Sequence, residues 1–230
     1  KNLHDLDEES FDRVCEAIDG SGVHINALGS AIGNWGKDVR DDFSITEAEI
    51  SRAIPRMKIL GAKFVRIMSY KVLDQEDQLV DERIRRLRLI VEAFSNEGIT
   101  AVHENCMNYG GMSWRHTLDL VEAIPGMKLV FDTANPAFNR DRSKPGEPWQ
   151  NPVEFYKKVR EHIVYVHIKD CLSPSPENEN KEIYTYPGEG HGCVREILQD
   201  LKDNGYEGGI SIEPHLAAVF HDTDSKNQTD

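Results

Sequence analysis

The chain has 230 residues, 39% of them hydrophobic, and a formal net charge of −13 at pH 7. That length and apolar content supply one sizeable core, so residues 1–230 are expected to form a single domain. The acidity argues against a nucleic-acid partner, which demands a basic face, and against an anionic membrane surface. No apolar run of about 18 residues offers a membrane span.

The four cysteines, Cys15, Cys106, Cys171 and Cys193, are scattered and form no C-x-x-C pair. In a chain of this length they read as reduced thiols, and the expected location is the cytoplasm.

Taken in chain order, EESFDRVCEAID reads as a helix, with Phe11, Val14, Cys15 and Ile18 at helical spacing. VHINAL, from Val23, reads as a strand. TEAEISRAIPRMKILG reads as a helix opened by Thr46, with Glu49 as its capping-box partner and Pro55 as an internal irregularity. KFVRIM is the next strand. DERIRRLRLIVEAFSNEG and ITAVHE follow as helix and strand. SWRHTLDLVEAI and MKLVFD repeat the pattern, as do NPVEFYKKVREH and IVYVHIKD. A polar loop over residues 173–182 precedes the short strand candidate IYTY and the tight GEGHG loop. VREILQDLKDNGY and GGISIE close the series as helix and strand.

Helices alternating with short β-branched strands indicate parallel βα units. With IYTY counted there are seven strands. The expected architecture is a (β/α)8 TIM barrel whose first strand and last helix lie outside this chain. A doubly wound open sheet is the competing fold, but its glycine-rich phosphate turn is missing.

Four strand ends carry metal-binding side chains: Glu104, Asp132, His167 and Glu213. In a parallel barrel the C-terminal strand ends open on one face, so these groups can converge on one ion. Three carboxylates and one imidazole suit Mn2+ first, then Mg2+ or Co2+, with Zn2+ also among the ions expected. Structural zinc prefers thiolates and imidazoles. An isolated acidic strand end is usually a cap or a solvated side chain, and a single histidine such as His167 is usually packed in a core. The case rests on all four together.

The same residues carry a family resemblance. Glu104 in HEN, Asp132 in FDT, His167 in VHIKD, Glu189 in PGEG and Glu213 in ISIEPH resemble the xylose isomerase-like barrels, in their sugar-phosphate isomerase and epimerase branch. The resemblance runs from the first helix to the last strand. It implies Glu104, Asp132, His167 and Glu213 as metal ligands, and Glu104 and Glu213 as the two acid/base groups. The implied chemistry is proton abstraction between a chelated carbonyl and hydroxyl, giving an enediolate. It further implies a small-molecule carbohydrate substrate and a homo-oligomer.

Two positions depart from the ketohexose epimerases. Asn135 stands where they carry a histidine, and Ser173 where they often carry an arginine. HIKD resembles the inosose dehydratases, so a dehydratase or lyase acting on a keto-sugar or keto-inositol is the rival to an isomerase or epimerase. Lys169 shares a strand side with His167 and is a candidate substrate-binding group, as are Arg66, Asn135, Glu189 and Trp35. For Lys169 the alternative is an exposed strand-end lysine, for Arg66 a structural salt bridge, for Trp35 ordinary packing. Glu189 leans toward bracing its loop. His103 is expected to face the helix layer and His215 to lie near Glu213. An endonuclease IV-like nuclease would need more histidines and a basic surface.

Overall fold

A computed structural model describes residues 2–213 and residue 215. The chain divides into two compact units, Lys1–Val130 and Phe131–Asp230.

The first unit runs through α1 (Glu8–Asp19), β1 (Ala27–Gly29), α2 (Ser44–Leu60), β2 (Phe64–Ile67), α3 (Val80–Ser95), β3 (Thr100–Glu104), α4 (Trp114–Ala123) and β4 (Lys128–Asp132). The last two residues of β4 open the second unit. The strands pair in parallel, Ala27 opposite Phe64, Phe64 opposite Thr100 and Val102 opposite Lys128. The period-two pleat puts Val65 and Ile67 of β2 on one side, both fully buried. In α3, Leu87, Ile90, Val91 and Phe94 recur at helical spacing and are buried, while Arg85 and Arg88 face water. Each such side chain contributes about 1.5–3 kcal/mol on burial.

The second unit holds α5 (Asn135–Phe138), α6 (Pro152–Val159), β5 (Ile163–Ile168), β6 (Asp170–Leu172), β7 (Ile183–Thr185), α7 (Val194–Asp203) and β8 (Gly209–Ile212). β5 and β8 pair in parallel, Tyr165 opposite Gly209. The ladder order is β1-β2-β3-β4-β5-β8, six strands among the described residues with helices between them, which is a partial (β/α)8 TIM-barrel fold.

The starts of α1, α4 and α6 follow local capping. Asp7 accepts from the N–H of Ser10 at 2.8 Å, and Asn151 from the N–H of Glu154 at 2.9 Å. Thr46 does not cap α2 as expected. Asp42 Oδ1 accepts from the N–H of Ser44 at 2.9 Å, so the helix starts two residues earlier. Thr46 is then buried inside the helix and Glu49 pairs with Lys37. The helix continues through Pro55.

Two strand readings are also corrected. The expected strand from Val23 narrows to Ala27–Gly29, because the chain first meets its neighbour at Asn26, whose carbonyl accepts from Lys63 and Phe64. IYTY is no barrel strand. Its residues 183–185 pair antiparallel with β6, in a two-stranded ribbon that projects from the end of β5.

Candidate metal centre

The end of β4, the end of β5 and the residue after β8 bring three donors together. Asp132, His167 and Glu213 each offer a ligand atom, and these atoms lie within 4.8 Å of one another. Backbone ladders fix the three positions. The N–H of Thr133 donates to the carbonyl of His167 at 3.1 Å, and the N–H of Glu213 to that of Ile168 at 3.0 Å.

Asp132 is fully buried and uses its oxygens differently. Oδ1 accepts from the N–H groups of Ala134 and Asn135, both at 2.9 Å, and so caps the short α5. Oδ2 faces the ammonium of Lys169 at 2.9 Å. His167 Nδ1 lies 3.0 Å from Glu213 Oε2.

Lys169 is not an exposed strand-end lysine. It is buried, and its Nζ also donates to Asn135 Oδ1 at 3.1 Å. The position where epimerases carry a histidine therefore engages Lys169. Thr133 Oγ1 fastens the same segment, donating to the carbonyl of Lys169 at 2.5 Å and accepting its N–H at 3.1 Å.

Glu104 ends β3 in the first unit, opposite Val130 in the ladder and buried. Its Oε2 lies 3.1 Å from Arg66 Nη1, and Arg66 Nη2 donates to the carbonyl of Ser30. The pairing expected as one reading of Arg66 is present. Asn108 Nδ2 donates to the Glu104 carbonyl at 2.9 Å, and Asn108 Oδ1 accepts from Ser69. His103 points away from Glu104, as alternation requires, into this network. It is fully buried, and burial pushes its imidazole pKa down to about 4.

The remaining candidates are spread more widely. Trp35 is 53% exposed on the loop after β1. Glu189 has an exposed side chain, while its N–H donates to the carbonyl of Tyr186. His215 lies beside Glu213, with Nδ1 3.2 Å from the Glu213 carbonyl. Its ring lies 5.0 Å from that of Tyr184.

Three participants were not singled out by sequence reasoning: Thr133, Asp170 and Tyr184. Tyr184 packs its ring edge-on against Phe138, 6.3 Å between centroids. Burial raises its hydroxyl pKa, against the opposing pull of Lys169. Cys171, opposite Tyr184 in the ribbon, is a thiol pushed up to about 12 by burial and then by Asp170 and Asp132. It is therefore an inert packing group.

The donor set in the second unit fits a divalent ion. At metal–ligand distances of roughly 2.0–2.4 Å, donors on opposite sides of one ion lie about 4–4.8 Å apart. Two carboxylates and an imidazole are hard to borderline ligands, suited to Mn2+, Mg2+ or Zn2+. The basic groups Lys169 and Arg66 stand beside carboxylates, where they balance negative charge.

Residues 1–227 match the family model described as xylose isomerase-like TIM barrel. Among curated proteins, the chain is 31% identical over 146 residues to an uncharacterized Methanocaldococcus jannaschii protein, covering 59% of this chain and 44% of the relative. It is 26% identical over 172 residues to an inosose dehydratase of Clostridium beijerinckii, covering 66% and 52%. The chain thus spans about half the length of these relatives. Among solved structures, it is similar to a D-tagatose 3-epimerase-like protein, with TM-score 0.71, 22% identity, and 94% and 80% of the two chains covered. A Mycobacterium smegmatis xylose isomerase-like TIM barrel protein in complex with magnesium gives TM-score 0.73, 17% identity, and 94% and 74% covered.

Proposed function

The chain belongs to the xylose isomerase-like TIM barrel family, and from that premise we propose that it is a divalent-metal-dependent enzyme acting on a small polyhydroxylated carbonyl compound. Asp132, His167 and Glu213 would hold the ion, with Glu104 as fourth ligand. When bound, the ion supplies Lewis-acid polarisation of a carbonyl and its neighbouring hydroxyl.

The observation that carries the reading is the convergence of two carboxylates and an imidazole from three successive positions of the parallel ladder. Glu213 is proposed as the base that takes the proton beside the carbonyl, leaving an enediolate. Glu104 is proposed as the group that returns it, at the other face or at the adjacent carbon, which completes an epimerisation or isomerisation. Arg66 and Trp35 are proposed to contact the rest of the substrate.

A second reading is favoured by Lys169. Its ammonium is buried beside Asp132, and in this reading it gives a proton to a departing β-hydroxyl. The same enediolate would then lose water, as in a dehydratase acting on a keto-inositol. The name of the Clostridium beijerinckii relative supports this alternative.

One experiment separates the two. The Mn2+-supplemented protein is incubated in D2O with a panel of keto-sugars and keto-inositols, and products are read by mass. Deuterium gained at one carbon without loss of water supports isomerisation or epimerisation, and loss of water supports the dehydratase. Glu213→Gln should abolish either. Exchange on no member of the panel, or full activity in Glu213→Gln, refutes the proposal.

A further inference from the structure

We propose that Asp170 is a positioning residue that holds the ion site together from behind, by clamping the glycine loop 188–192 onto the backbone that carries Asp132 and Lys169. This inference rests on the reading of Asp132 as an ion ligand.

Asp170 is 1% exposed. Its Oδ1 accepts from the N–H of Gly192 at 2.8 Å and of Cys171 at 2.9 Å. Its Oδ2 accepts from Gly188 at 2.8 Å and Gly190 at 3.0 Å. Four donors converge on two oxygens. Only a carboxylate offers that many acceptor sites with no donor of its own, and bonds to a charged acceptor are the stronger kind. Three successive alternate amides of the GEGHG loop form a concave set of N–H groups, the shape that elsewhere cradles anions. Here an internal carboxylate fills it.

The glycines at 190 and 192 are required by this arrangement. A Cβ at Gly190 would meet Asp170 Oδ1 at 2.4 Å and the Cys171 carbonyl at 2.6 Å. A Cβ at Gly192 would meet Asp170 Oδ1 at 2.8 Å, the Thr133 carbonyl at 3.0 Å and the Lys169 carbonyl at 3.4 Å. Gly192 therefore lies flat against both residues that flank the site. Thr133 directly follows Asp132 and is tied to Lys169 by two hydrogen bonds. The clamp thus presses on the joint between β4 and β5, where Asp132 and Lys169 are set.

Supports behind metal ligands typically change ion affinity 10- to 100-fold when removed. Asp170→Asn keeps the shape but turns an N–H donor toward two of the four amides. Gly192→Ala leaves the carboxylate intact and lifts the loop from Thr133. Both variants, checked for native circular dichroism, are expected to raise deuterium exchange of the 186–193 peptide at least tenfold. Both are also expected to weaken Mn2+ binding by the folded protein about 10-fold or more. Lys202→Gln, on the exposed side of α7, should change neither.

Unchanged exchange in Asp170→Asn overturns the clamp whatever the ion does. Faster exchange with unchanged Mn2+ affinity overturns the positioning role and leaves a loop brace. A wild-type chain that binds no Mn2+ sinks the functional reading first, and this proposal with it, while the exchange arm still reports on the clamp.

Discussion

Lys169→Met tests how the buried charge beside Asp132 is balanced. The wild-type ammonium lies 2.9 Å from Asp132 Oδ2 and 3.1 Å from Asn135 Oδ1, with Lys169 and Asp132 both buried. Methionine keeps most of the packing volume and removes the charge. Asp132 keeps the two N–H bonds to Oδ1, so the loss falls at the low end for breaking a buried pair, about 3 kcal/mol. For a chain of this size each kcal/mol shifts the melting temperature by roughly 2–4 °C, which gives a fall of about 6–12 °C in EDTA. A divalent ion at Asp132 would supply the missing positive charge. The assay is therefore thermal unfolding in EDTA and in saturating Mn2+, wild type beside variant. The gap between the two proteins should shrink by at least half when Mn2+ is present. An equal gap in both conditions would refute the placing of the ion at Asp132, and no gap in EDTA would refute the charge balance itself.

Three further outcomes follow from the first unit. Arg83 is fully buried and donates to the carbonyls of Gln78, Ser69 and Lys71, so Arg83→Met should cost about 3–6 kcal/mol, read from urea unfolding; a change below 1 kcal/mol would contradict the role. His4 is buried with Asp5 at 3.6 Å and Glu49 at 3.9 Å, and burial, the largest cause, lowers its pKa. The folded state then binds fewer protons than the unfolded chain below about pH 6.5, so stability falls as pH drops through that value. His4→Gln should flatten this fall between pH 7.5 and 5.5 in denaturant midpoints, and parallel curves would exclude His4 as the source. Gly111→Ala should fail to accumulate as folded protein, because its Cβ would meet the Cys106 carbonyl at 1.7 Å; a soluble variant with the wild-type melting temperature would contradict this.

The alternation of helices and strands was legible because each element buries one face, and burial writes a period into the sequence. The residues that end the strands were legible for the same reason. An acid or imidazole that closes an apolar run, as in KLVFD or IVYVHI, has few other causes when the pattern repeats. IYTY misled because a β-branched, aromatic run says nothing of its partner, and that partner is β6 in a local ribbon. Thr46 misled because a capping motif is short, and Asp42, four residues earlier, accepts the first helical N–H instead. The burial of Lys169 depended on Asp132 and Asn135, which lie more than 30 residues away. Asp170 left one faint trace, the glycines at 188, 190 and 192, whose spacing records a backbone that must approach an acceptor closely.

Direct measurement of bound ion by Mn2+ electron paramagnetic resonance tests the account most sharply. One ion per chain is expected for the wild type, with affinity reduced at least tenfold in each of Glu104→Gln, Asp132→Asn, His167→Gln and Glu213→Gln. A wild-type chain that leaves added Mn2+ free in solution, or four variants that bind it as the wild type does, would contradict the assignment.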